Sequence, residues 1–134
     1  MDEVMIVAGL GCRKGTSDAQ LAAALEAALA TGGLALADVG TLATGGSKRD
    51  EPAIHSIARR LKLPLVIVGD MELQQAAPHC LTQSDTSLRH AGVPSLCEAS
   101  ALAAAGDGAA LLGPRIVLDG VTCALARGGS EAGR

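Results

Sequence analysis

The sequence predicts an α/β domain: a three-layer α/β/α sandwich with a mixed, mostly parallel sheet that ends in an antiparallel hairpin. Three observations predict it. Val4 to Ala8 and Pro64 to Val68 are continuous apolar runs, the mark of strands buried on both faces. Stretches with helical periodicity alternate with them. Near the end, Asp119-Gly120 separates two strand-like runs, a strong hairpin signal.

The elements follow in order. After the first strand comes Gly9-Leu10-Gly11-Cys12-Arg13-Lys14-Gly15-Thr16, read as a glycine-rich loop. Ser17 and Gln20 have capping-box spacing, and Leu21, Leu25 and Leu29 form one helical stripe that Gly32-Gly33 ends. Val39 to Ala43 is a short second strand, left by the polar stretch from Thr44 to Asp50. Asp50-Glu51-Pro52 opens a helix with Ile54, Ile57, Ala58 and Leu61 on its inner face. Beyond the third strand lie short helices over Met71–Ala76 and Asp85–His90, the second capped by Ser84. Ser95 caps Leu96–Ala105, with Glu98 at the capping-box position. A strand at Ala110–Leu112 precedes the hairpin of Arg115–Leu118 and Val121–Arg127. Residues 4–127 read as one domain and 128–134 as a flexible tail.

Composition excludes several functions. At 134 residues the chain has the size of one ordinary domain. It contains no Phe, Tyr or Trp, so bases cannot be stacked on aromatic rings, and its net charge of −3 opposes a polyanionic partner. A nucleic-acid partner is therefore not expected. No apolar run reaches the ~20 residues of a membrane span, and the acidic start lacks the basic region of a secretory signal. The expectation is a cytoplasmic protein with no membrane partner. Cys12, Cys80, Cys97 and Cys123 form no C-x-x-C pair, so no metal site is expected. His55, His79 and His90 are scattered. Gly9, Gly11 and Gly15 are spaced one residue off the dinucleotide fingerprint, and no P-loop exists. No cofactor is expected.

In open α/β sheets ligands bind beyond the carboxyl ends of parallel strands. Two segments occupy that place, Gly11-Cys12-Arg13-Lys14-Gly15-Thr16-Ser17 and Ser47-Lys48-Arg49-Asp50-Glu51. Each carries a basic pair and runs into a helix N-terminus, where backbone amides and the helix dipole favour an anion. Four of the chain's 11 basic residues sit there. On residue types alone, solvated loop charge accounts for them equally well. Cys12 stands beside Arg13 and Lys14, which would lower its pKa, although a buried structural thiol is the simpler reading. Glu98 is a possible general base whose simpler role is the capping box.

The residues from Gly9 to Thr16 resemble the G-[IL]-G-C-R-[RK]-[GN]-T motif of the family formed by the cobalamin biosynthesis proteins CobE and the C-terminal domain of CbiG. Lys48, Glu51 and Pro52 are similar to its K-x-x-E-[PA] segment. Gln83-Ser84 and Gly92-Val93-Pro94-Ser95-Leu96-Cys97-Glu98-Ala99 resemble its S-E … V-G-V-P-S-V-A-E-A segment. Val121-Thr122-Cys123-Ala124-Leu125-Ala126-Arg127 resembles its closing strand. Ser84-Asp85 replaces the usual Ser-Glu, and Thr44-Gly45-Gly46 is richer in glycine than is common there. The resemblance spans residues 5 to 127.

What the resemblance implies is a mixed α/β domain and a part in making the corrin ring. Longer relatives open a lactone of a cobalt-corrinoid and release acetaldehyde. The stand-alone type of the aerobic route fits this chain better, and implies a protein that binds or hands on unstable, carboxylate-rich corrin and precorrin intermediates, with other cobalamin biosynthesis enzymes as possible partners. The expected ligand-binding residues are Gly11, Cys12, Arg13, Lys14, Gly15, Thr16, Ser17, Lys48, Glu51 and Ser84. If the protein is a lactone hydrolase instead, Glu51, Glu98 and Asp50 are the candidate bases. A third possibility is an unrelated small-anion binding module. The ligand reading requires both cationic turns to stand at one rim of the sheet.

Overall fold

The computed structural model describes residues 6–48, 50–106 and 108–128. The expected strand residues Val4 and Met5 and the tail from Gly129 to Arg134 lie outside them. The elements run β1 (Ile6–Cys12), α1 (Asp18–Thr31), β2 (Val39–Gly45), α2 (Pro52–Leu61), β3 (Leu65–Val68), α3 (Asp70–Ala76), α4 (Asp85–Ala91), α5 (Leu96–Ala105), β4 (Ala110–Leu111), β5 (Ile116–Leu118) and β6 (Val121–Arg127). They form an α/β fold with a mixed six-stranded sheet.

The sheet order is β3-β2-β1-β6-β4, with β5 also paired to β6. β1–β2 and β2–β3 are parallel, whereas β6 is antiparallel to β1, β4 and β5. The sheet is thus partly parallel, where the sequence suggests mostly parallel. The reason is β6, which enters beside β1 and turns that half of the sheet antiparallel.

Alternation along β1 divides the core. Ile6, Ala8, Leu10 and Cys12 pack with Leu21, Leu25 and Leu29 of α1 and Ile54 and Ile57 of α2. Val7 faces the other way, with Leu73 of α3 and Leu96, Ala99 and Leu102 of α5. Helices therefore cover both faces, and the predicted stripes of α1 and α2 are the buried ones.

Several boundaries differ from the sequence reading. β1 continues through Gly9, Leu10, Gly11 and Cys12, where the glycine spacing suggests a loop. The full register from Ile6↔Arg127 to Cys12↔Val121 supplies the backbone partners that make it a strand. The glycines serve packing: a Cβ on Gly9 would run into the carbonyl of Cys97 and stand 3.0 Å from Ala101 Cβ. The absent side chain of Gly9 lets α5 lie close to the sheet, and that of Gly11 leaves room for Thr122 Oγ1 of β6, which an added Cβ would meet at 2.6 Å. β2 likewise extends to Gly45, where an added Cβ would meet Leu96 Cδ1 at 2.5 Å. β3 is an edge strand with Val66 39% exposed, so its apolar run does not mark burial on both faces.

The turn chemistry is as expected elsewhere. The Ser17 side chain accepts from the Gln20 amide at 3.2 Å, and Gln20 Oε1 accepts from the Ser17 amide at 2.9 Å, completing the capping box. Ser84 Oγ caps α4 by accepting from the Ser87 amide at 3.2 Å. Asp119 (φ 54) and Gly120 (φ 80) both take the left-handed conformation of a two-residue hairpin turn. No helix among the described residues is long and apolar enough to cross a membrane.

Candidate functional site

Parallel pairing places the carboxyl ends of β1, β2 and β3 at one edge. The antiparallel β6 begins there, since Cys12 pairs with Val121. The same edge receives the N-termini of α1, α2 and α3, each of which follows one of these strands directly. The first turn of α5 joins them, because Leu96 packs at Gly45 and Cys97 at Gly9.

The turn after β1 is closed by Arg13, whose carbonyl accepts from Thr16 Oγ1 at 2.6 Å and from the Thr16 amide at 3.3 Å. Gly15 there has φ +83 with open space around it, so glycine answers a backbone requirement. The turn after β2 is a short 3-10 segment, Gly46–Lys48. Arg49 lies outside the described residues, so Lys48 is the cation described in this turn. The Glu51 amide donates to the Lys48 carbonyl at 3.0 Å. Beneath both turns, Thr44 Oγ1 donates to the Leu10 carbonyl at 2.8 Å and ties β2 to β1.

The two turns meet. The Gly15 amide donates to Glu51 Oε2 at 3.3 Å, and Glu51 is only 9% exposed. A third segment joins them through Gln20, whose Nε2 donates to Asp119 Oδ2 at 3.1 Å. The hairpin turn is thereby drawn to the start of α1. Arg13 also lies over this turn: a Cβ on Gly120 would stand 3.6 Å from its Cδ and Nε. The sequence assigns Gln20 a capping role alone, and no pattern links it to Asp119 across 99 positions.

The expected site residues divide by burial. Arg13, Lys14, Gly15, Ser17 and Asp50 are exposed, Thr16 and Lys48 half-buried, and Gly11 and Cys12 buried within β1. Ser84 stands apart from the turns in sequence but near the start of α5, since its amide donates to the Pro94 carbonyl at 2.8 Å. The Cys12 thiol is pushed up, chiefly by burial and secondarily by the Glu51 carboxylate, while Lys48 and the Thr16 hydroxyl pull it down. The expectation of a lowered pKa is thus corrected. The pull of Lys48 and Thr16 does not outweigh burial, and the neutral thiol is favoured.

Glu98 also departs from expectation. Ser95 makes no side-chain cap bond, so no capping box forms. Glu98 is fully buried, and its carboxylate accepts from the amides of Leu81, Thr82 and Arg115 and from Thr82 Oγ1. Its carboxylate is fully engaged in bonds between segments. Among the described residues no group of three or more metal-ligating side chains exists. A groove of about 400 Å³ lies elsewhere, between α3 and the C-terminal half of α5, lined by Glu72, Gln75, His79 and Leu102 among others.

Fold and edge together define a class: an α/β protein with several helix N-termini and cationic turns converging at the carboxyl end of its strands. Residues 6–126 match the family model described as Cobalamin synthesis G C-terminus. The chain belongs to this family, and it is a cobalamin biosynthesis protein of the CobE/CbiG type. It is 31% identical over 121 residues to Protein CobE of Sinorhizobium sp, covering 90% of this chain and 79% of that protein. The crystal structure of CobE, described as a protein from the cobalamin (vitamin B12) biosynthetic pathway, superposes with a TM-score of 0.89 at 38% identity, covering 94% of this chain and 92% of that one. The cobalamin biosynthesis protein chiG of Agrobacterium tumefaciens gives a TM-score of 0.74 at 44% identity, covering 93% and 98%.

Proposed function

We propose that this protein binds and hands on carboxylate-rich corrin intermediates of the aerobic route, at the edge where its two cationic turns meet. The observation that supports this most is the bond between Gly15 and Glu51, which joins the turn bearing Arg13 and Lys14 to the turn bearing Lys48. A corrin precursor is a flat apolar macrocycle fringed with acetate and propionate groups. Arg13 suits a two-pronged grip on one carboxylate, and Lys14 and Lys48 act as point charges on others. The N-termini of α1 and α2 add backbone donors. Gly11 and Cys12 serve from within β1 by fixing where the first turn emerges, and Ser84 lies by the start of α5, bonded to Pro94.

A second reading is a lactone-opening hydrolase. Its supporting observation is Glu51, a carboxylate almost withdrawn from water at the junction of the turns. That is where a water-activating base would stand. Asp50 is exposed, and Glu98 is committed to its four donors, so both suit the role less.

Mixing the protein with hydrogenobyrinic acid and with a lactone-bearing precursor, followed by size-exclusion chromatography, separates the readings. Co-elution without acetaldehyde supports the carrier. Acetaldehyde release supports the hydrolase. Absence of co-elution with either corrinoid, together with absence of acetaldehyde release, removes both and leaves a small-anion module.

A further inference from the structure

Positive charge at the edge accounts for the perimeter of a corrin, not for its face. The chain has no aromatic side chain, so aliphatic groups must cover that face. Glu98 indicates which ones. Its Oε1 accepts from the Leu81 and Thr82 amides, both at 2.8 Å. Its Oε2 accepts from Thr82 Oγ1 and the Arg115 amide, both at 2.9 Å. Burying a carboxylate is costly unless such partners are supplied. Here they fasten the segment after α3 to the first turn of α5. Further along, the Ser84 amide bonds the Pro94 carbonyl at 2.8 Å, and Ser87 Oγ accepts from the Leu96 amide at 3.0 Å. Residues 81–95 are therefore strapped across the start of α5.

This fastened strap nevertheless exposes large apolar side chains. Leu81 is 59% exposed and Leu88 44%. A single exposed leucine is ordinary on any protein surface. Leu81 is different because its backbone is pinned by a buried carboxylate, which makes it a rigid apolar projection. The start of α5, which the strap crosses, adjoins the cationic edge: Leu96 packs at Gly45, and Lys48 lies three residues on in the turn that leaves β2.

We propose that Leu81 and Leu88 form the apolar wall on which the face of the macrocycle lies, and that Glu98 is the positioning residue for this wall. The inference rests on the corrin-binding reading above and names the part of that site which recognises the ring. Charge at one side and aliphatic surface beside it match a ligand that is anionic at its rim and apolar across its plane.

The test uses the full chain and two probes: hydrogenobyrinic acid, and butanetetracarboxylate as an acyclic polycarboxylate. Leu81→Ser with Leu88→Ser should weaken macrocycle binding about tenfold to a hundredfold, because the ring face is then left against water and hydroxyls, and should leave polycarboxylate binding unchanged. Both side chains are exposed, so circular dichroism and Tm should stay near wild type. Glu98→Gln should speed hydrogen exchange at the Leu81 and Thr82 amides and produce the same selective loss, a separation of two ligands that mere destabilisation does not produce. Wild-type binding of the macrocycle with no loss in the Leu81/Leu88 variant overturns this inference and leaves the carrier reading standing. Failure of the wild type to bind the macrocycle overturns both. A change in sedimentation with unchanged affinity would mark the strap as a self-association face and also overturn the inference.

Discussion

The amide of Gly15 donates to the carboxylate of Glu51 across 3.3 Å and 36 positions of sequence. This bond joins the turn that bears Arg13 and Lys14 to the turn that bears Lys48. The turns that share it are those expected to hold a multiply anionic ligand, so their charges act on one region of the edge.

Reversing Arg13 and Lys48 to Glu together should abolish binding of hydrogenobyrinic acid while leaving the fold intact. Arg13 is exposed and Lys48 half-buried, and neither has a described ion pair. Isothermal titration and Tm measure the two halves. Unchanged affinity in a folded double variant removes the electrostatic basis of the site. For the wild type, raising salt should weaken binding as the Debye length shrinks.

Glu51→Gln should lower the pKa of the Cys12 thiol, because the carboxylate is one of the causes that raise it. The ultraviolet absorbance of the thiolate, followed against pH in a variant with the other cysteines replaced by Ala, should shift to lower pH. Lys48→Gln should shift it the other way, since that ammonium favours the thiolate. No shift in either variant would mean that Cys12 does not face the meeting point of the turns.

Gly9→Ala should destabilise the protein by about 1–3 kcal/mol or more, because the new Cβ meets main chain that cannot rotate away. Gly15→Ala should cost about 1–2 kcal/mol through its left-handed backbone alone, with no clash. Denaturant titration ranks the two. A Gly9→Ala protein as stable as wild type would contradict the close seating of α5.

Asp18 links α1 to α2 by accepting from Ser56 Oγ at 3.0 Å and pairing with Arg60 at 3.3 Å. The Ser56 bond, then Arg60, hold its carboxyl below the usual carboxylate range. A depressed folded pKa gives stability that is present above the unfolded value, near 4, and lost as pH falls through the folded one. The Tm difference between wild type and Asp18→Asn should therefore be largest near neutral pH and close in acid. A difference independent of pH would show that the charge plays no part.

How much of this is legible from residues varies by element. The α1 cap, its leucine stripe and the Asp119-Gly120 turn are readable because local chemistry alone determines them. Gly9 and Gly11 mislead because glycine has the same letter whether it serves a loop, makes room for a helix as Gly9 does for α5, or makes room for a side chain of the neighbouring strand as Gly11 does for Thr122. Only the β6 register and Cys97 distinguish these cases. Glu98 has the right spacing for a capping box, and its real partners lie 16 or 17 positions away. The cationic turns can be placed at strand ends from the sequence, but their junction through Glu51 needs the parallel neighbours β1 and β2. Gln20 to Asp119 and the strap over α5 are tertiary relations with no local signature.

Ile6 and Arg127 are direct partners across β1 and β6, at the end of those strands away from the cationic turns. Entry to and exit from the fold therefore stand side by side on the far pole of the molecule. A polypeptide fused at either point would leave the cationic edge unobstructed, and a short linker joining the two points would permit new termini to be opened elsewhere in the chain.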